Sequence, residues 1–130
     1  MISRAKQLVV PLVDKPGTLA KLCSVLGDAK VNIIAFYAPE TKRQGRARIM
    51  VVDLTGARAA LRDAKIKFSE EEVLDVELDN RPGAFAELAG KLVRAKINIE
   101  YAYATTAPFA RARVVVKVSD VPKALAALGT

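Results

Sequence analysis

Two stretches decide how the chain folds: DKPGTLAKLCSVLGDAKVNI at residues 14–33 and NRPGAFAELAGKLVRAKINI at residues 80–99. They are offset by 66 positions, and between 14–38 and 80–104, 11 of 25 residues are identical. The match resumes at Arg46-Ala47-Arg48-Ile49 and Arg111-Ala112-Arg113-Val114, offset now by 65, so one residue has been lost from the turn between. Self-similarity at a fixed spacing is the mark of a duplicated structural unit.

Working outward, each copy reads the same way. Gln7–Asp14 and Val73–Asp79 are strands; in the second, Leu74, Val76 and Leu78 alternate with Asp75, Glu77 and Asp79, so one face is buried and one is wet. Pro-Gly then opens a helix, because proline suits a first turn where its missing N–H has no partner to lose. Leu19, Leu22, Cys23 and Leu26 in copy one, and Phe85, Leu88, Ala89 and Leu92 in copy two, fall on one apolar stripe that must lie against a sheet. Asn32 and Asn98 mark the entry to second strands running to about Ala38 and Thr105. Third strands follow at about Arg46–Leu54 and Ala110–Val118, and second helices at about Gly56–Asp63 and Val121–Leu128. Lys65–Phe68 is expected to be a short fourth strand of copy one, whereas copy two ends before its own. The order β-α-β-β-α-β is the split βαβ, ferredoxin-like pattern, an α+β fold with both helices on one face of an antiparallel sheet. Residues 1–70 and 71–130 are the expected domains, with Glu70-Glu71-Glu72 read as a solvated linker.

Composition narrows the function. Apolar residues make up 52% of the chain, enough for a core. A module of about 65 residues is marginal alone, so two gain by packing on each other. One cysteine and no histidine argue against a disulfide, a zinc site and any histidine-dependent triad. No apolar run reaches membrane-spanning length and none resembles a signal peptide, so a cytoplasmic protein with no membrane partner is expected. The net charge of +7 raises the question of anionic partners, but the basic residues are dispersed and aromatics are only 5%.

The residues that carry chemistry cluster at the first strand–helix loop of each copy. Gly17 and Gly83 permit close backbone approach, and the helix that follows offers free N–H groups and a dipole favouring an anion such as a carboxylate. A tight turn needing glycine for its backbone alone is the competing account. Asn32 and Asn98 supply both donors and an acceptor at strand starts, or are turn residues tolerating left-handed geometry. Arg46, Arg48, Arg111 and Arg113 point to the uncovered sheet face, where Arg111 and Arg113 are expected to pair with Asp75 and Glu77 rather than bind a polyanion. Tyr37, Tyr101 and Tyr103 are expected to pack where modules meet, since the RNA-recognition consensus that would make them stacking platforms is missing. Cys23 is read as a core residue. No phosphate-binding glycine fingerprint and no nucleophile–base pair emerge, so neither an enzyme nor a cofactor is expected.

The Asp14-Lys15-Pro16-Gly17 loop with Asn32-Ile33, and Asn80-Arg81-Pro82-Gly83 with Asn98-Ile99, resemble the ACT domain family, over nearly the whole chain. In particular the chain resembles stand-alone proteins made of two ACT domains. The resemblance implies side-by-side pairing that merges two sheets into a larger one, and a free amino acid bound at the interface of the two domains. It implies ligand contacts from Asp14, Lys15, Pro16, Gly17, Thr18 and Leu19 facing Asn98 and Ile99. The mirror set is Asn80, Arg81, Pro82, Gly83, Ala84 and Phe85 facing Asn32 and Ile33. Asn80 and Asn98 match the asparagines of serine-binding relatives, but the histidine some of these place two positions before the loop asparagine is Leu78 here, and Leu12 in copy one. The function implied is a non-enzymatic sensor regulating amino-acid metabolism, with a homodimer covering the edge left by the missing strand, and a metabolic enzyme as possible partner. The alternatives are a regulatory subunit like that of acetolactate synthase, and a basic ferredoxin-like nucleic-acid-binding protein.

Overall fold

The computed structural model describes residues 1–13, 15–39, 44–106 and 111–129, apart from the side chain of Gln44. Among these residues the elements are β1 (Ile2–Val13), α1 (Thr18–Asp28), β2 (Ile33–Tyr37), β3 (Gln44–Val51) and α2 (Leu54–Asp63), then β4 (Ser69–Leu78), α3 (Ala84–Arg94), β5 (Ile99–Thr105), β6 (Ala112–Val118) and α4 (Val121–Ala127). The α+β class and the two tandem antiparallel, ferredoxin-like modules expected from the repeat are thus observed. Asp14 lies outside the described residues, as does Ala110, the expected start of the last strand.

The chain divides into two compact units, Gln7–Glu71 and Met1–Lys6 with Glu72–Thr130, so β1 and β4 each contribute to both. In the first-copy unit the strand order is β2-β3-β1, with Leu8 opposite Ile49 and Val13 opposite Gln44. Its core is one cluster in which Leu8 and Val10 of β1, Leu22 and Leu26 of α1, Ile49 of β3 and Leu61 of α2 are fully buried. In the second-copy unit the order β4-β6-β5 repeats the arrangement, with Leu74 opposite Val116 and Leu78 opposite Ala112. Leu74, Val76, Leu88, Leu92, Val116 and Val118 form the matching core.

The fourth strand of the second copy is supplied by the start of the chain. The backbone N–H of Glu77 donates to the carbonyl of Met1 at 2.8 Å, Ile2 packs against the second core, and Arg4 meets Glu72 at 3.1 Å. The edge that a second chain was expected to cover is therefore occupied by Met1–Lys6 within that unit.

Three local expectations are corrected. Lys65–Phe68 is not a strand: the backbone extends only from Ser69, while Ile66 and Phe68 close the first core as apolar plugs. Glu70-Glu71-Glu72 is not a solvated linker but part of β4, because each acid has an arginine: Glu70 with Arg58 at 2.7 Å, Glu71 with Arg48 at 3.2 Å, Glu72 with Arg4. The hydrogen bond and charge of Glu70 hold the Arg58 guanidinium above its ordinary pKa, against the opposing effect of burial. The stripe of α3 is Ala84, Leu88 and Leu92; Phe85 is 40% exposed because it faces a cavity rather than the sheet. Cys23, one position off the buried pair Leu22 and Leu26, is half-buried.

The four helices start in two different ways. Asp53 and Asp120 cap α2 and α4, accepting from Gly56 N–H at 2.9 Å and Lys123 N–H at 3.0 Å. Asp120→Ala is expected to lower stability by about 1 kcal/mol, the usual cost of losing such a cap, read as a shifted urea midpoint at unchanged slope. By contrast α1 and α3 begin at Gly17 (φ 94°) and Gly83 (φ 84°), left-handed residues whose helices receive no side-chain cap.

Candidate functional site

Those two uncapped helix starts each border a cavity, at equivalent places in the two copies. The first-copy cavity, about 260 Å³, lies between the end of β1, the loop at Lys15–Gly17, the start of α1, Ala38 and Pro39 beyond β2, and Gly45 and Arg46 of β3. The second, about 370 Å³, lies between Leu78–Arg81, Ala84 and Phe85 of α3, Ala102–Ala104 of β5, and Ala112 and Val114 of β6. Antiparallel pairing creates the site: Leu12 stands opposite Gly45 and Pro11 opposite Arg46, so the start of the third strand lies beside the end of the first.

The backbone of both loops is fixed alike. Lys15 N–H donates to the Val13 carbonyl and Arg81 N–H to the Asp79 carbonyl, each at 2.9 Å. The first helical bonds run from Lys21 N–H to Gly17 and from Glu87 N–H to Gly83. A glycine at positive φ allows this turn without the steric cost other residues bear. A Cβ at either glycine would meet no atom within 4 Å, so the space above the helix start is open. The first N–H groups of a helix have no acceptor within it, and the N-cap glycines have no side chain to supply one, although in the second copy the Ala84 N–H donates to the Arg81 carbonyl at 3.3 Å. Such amides with the helix dipole form a favourable place for a carboxylate.

The loops differ in side-chain bracing. In copy one the Thr18 hydroxyl donates to the carbonyls of Val13 (2.9 Å) or Lys15 (3.2 Å). In copy two, where Ala84 replaces it, the bracing is ionic: Arg81 to Glu87 at 2.9 Å, and Arg111 to Asp79 at 2.9 Å and Glu77 at 3.5 Å. The hydrogen bond and charge of Arg81 hold the Glu87 carboxyl below the usual glutamate value, and the same hydrogen bond raises Arg81.

Of the sequence-predicted site residues, Lys15, Gly17, Thr18 and Leu19 line the first cavity, and Asn80, Arg81, Ala84 and Phe85 the second. Pro16, Pro82 and Gly83 shape the loops but line neither. Asn32 and Asn98 are exposed and line neither cavity: Asn32 accepts at its carbonyl from Val52 N–H, and Asn98 exchanges bonds with Ser119 at 3.0 and 3.2 Å. Ile33 and Ile99, half-buried, pack on the two cores. Sequence reasoning missed Ala38, Pro39, Gly45, Arg46, Ala102 and Tyr103 as lining residues; the adjacency of third-strand start to first-strand end was the signal that could have found them.

Three of the four third-strand arginines are paired with acids, and Arg111 and Arg113 are paired across the strands as expected. Arg48 meets Glu71, Arg113 meets Asp75 at 3.1 Å, and Arg111 meets Glu77 and Asp79. The face they occupy is covered only in part: Val73 and Val115, which alternate with the core residues Leu74 and Val116, are buried, whereas Arg46 and Arg111 are exposed. Among the described residues no group of His, Cys, Asp and Glu is placed to hold a metal, and no helix is long and apolar enough to cross a membrane.

A duplicated split βαβ module with a cavity beside the first strand–helix loop of each copy defines the class, a tandem ferredoxin-like α+β protein. The chain belongs to the ACT domain pair family, which matches residues 3–123. It is 31% identical to protein BT0572 from Bacteroides thetaiotaomicron, covering 98% of this chain and 88% of that one at a TM-score of 0.91. It shares its fold with the ligand-free regulatory subunit of aspartate kinase from Thermus thermophilus (16% identity, TM-score 0.65, 98% and 95% covered). The corresponding subunit from Thermus flavus is similar too (19%, 0.61, 98% and 94%). No curated protein matches.

Proposed function

We propose that the protein is a non-enzymatic sensor that binds free amino acids in its loop cavities and regulates amino-acid metabolism from the cytoplasm. The observation that carries this reading is the pairing of each uncapped, glycine-opened helix start with a cavity, while the other two helices are capped by their own aspartates. The ligand carboxylate would accept from the helix amides, and Gly17 and Gly83 would leave it room. Asn32 and Asn98 line neither cavity, so a contact from either would reach a ligand held by another copy of the chain, as in a homodimer.

The test is a thermal-shift screen of the free amino acids followed by calorimetry. A ligand at about 100 times its Kd is expected to stabilise the protein by roughly 2.7 kcal/mol, and no shift for any amino acid at millimolar concentration sinks the proposal. A second reading is a regulatory subunit of a biosynthetic enzyme, prompted by the likeness of fold to the aspartate kinase subunits. Co-purification with a larger catalytic chain would distinguish it from a free-standing sensor.

A further inference from the structure

The two cavities have diverged in charge, and we infer that they select different ligands: an acidic amino acid in the first copy and an apolar one in the second. The inference rests on the amino-acid-binding reading above and specifies the side chain each site takes.

The divergence lies in four aligned positions, and at one of them, Asp14 against Asn80, the extra carboxylate belongs to the first copy, while the other three run the opposite way. Around the second loop, Glu77, Asp79 and Glu87 provide carboxylates; their counterparts in the first copy are Pro11, Val13 and Lys21. The consequence for the basic residues is direct. Arg111 is fastened to Asp79 and Glu77, and Arg81 to Glu87. Their counterparts Arg46 and Lys15 both line the first cavity and, among the described residues, have no carboxylate partner. An anion-accepting helix start with a guanidinium and an ammonium on its walls suits a ligand with a second carboxylate, which the guanidinium holds by charge-assisted hydrogen bonds.

The apolar walls have diverged in the opposite sense. Leu19 in copy one becomes Phe85 in copy two, and the second cavity adds Tyr103, Ala102 and Val114. With its cations neutralised by neighbours, that cavity keeps the helix amides for the ligand backbone and offers an apolar, partly aromatic wall to the side chain. A buried carboxylate there would meet no available cation, and desolvating it would cost far more than burying an aliphatic group.

Calorimetry on the full chain with L-aspartate and L-leucine tests this. Each is expected to bind, and saturation with one is expected to leave the other's titration intact. Arg46→Ala is expected to weaken aspartate by about tenfold or more, the effect of one lost charge-assisted hydrogen bond, while leucine still binds. Val13→Asp, which gives Arg46 the partner that Asp79 gives Arg111, is expected to weaken aspartate similarly without removing the arginine. Phe85→Ala is expected to weaken leucine selectively. Competition between the two ligands for one site, or aspartate binding indifferent to both first-copy variants, overturns the division of ligands while amino-acid binding stands. Absence of binding by every amino acid overturns both.

Discussion

Replacing Leu92 by alanine is expected to destabilise the second-copy unit by about 3–5 kcal/mol, the range for a fully buried leucine whose cavity cannot collapse. Leu92 is 0% exposed, at the centre of a cluster that takes side chains from β4, α3, β6 and α4. Strands and helices fix that site from both faces, so the neighbours have little freedom to move in. Thermal unfolding should fall by more than about 10 °C, since 1 kcal/mol moves the midpoint of a domain this small by roughly 4–8 °C. Val93→Ala is the control on the same helix: Val93 is 70% exposed, and alanine is the better helix former, so little change or a slight gain is expected. Equal effects of the two substitutions would mean that the stripe does not anchor α3. Leu26→Ala is the matching experiment for the first copy, where Leu26 has the same burial.

That such a comparison can be set up in advance reflects how much of the fold lies in local pattern. Leu22 and Leu26, or Leu88 and Leu92, recur at helical spacing, and β4 alternates Leu74, Asp75, Val76, Glu77, so each element announces its buried face. The loops were equally readable, because Pro-Gly twice in register leaves few backbone choices. The acids at 70–72 were not, since a run of glutamates looks solvated until the strand carrying it brings each to an arginine far away in sequence. Phe85 was misread for a related reason: helical spacing names the residues near the sheet, but at the first turn the side chain can fall off the sheet's edge into a cavity. The cavity walls contributed by β3, β5 and β6 depend on which strands are neighbours, and that information is non-local.

Deleting Met1–Lys6 is the second experiment with a large expected effect, and it addresses the least local feature of the fold. These six residues carry no helix stripe and no apolar run, yet they form part of β1 and belong with Glu72–Thr130. Their removal takes Ile2 from the second core, strips the Glu77 amide of its acceptor at Met1, and breaks the Arg4–Glu72 pair. The ion pair is exposed on both sides and contributes at most about 1 kcal/mol. Most of the loss comes from the strand's backbone bonds, about 1 kcal/mol each, and from the burial of Ile2, so a total on the order of 3 kcal/mol is expected. Beyond stability, β4 would become an open edge, and such edges recruit other chains; the deletion variant should aggregate at concentrations where the full chain does not. Arg4→Ala should do little and Ile2→Ala an intermediate amount. Hydrogen exchange gives the sharpest readout, because the Glu77 amide should lose protection in the deletion variant while amides of the first-copy helix α1 keep theirs. A deletion variant with the full chain's unfolding midpoint and an equally protected Glu77 amide would show that the opening residues do not serve as the second copy's fourth strand.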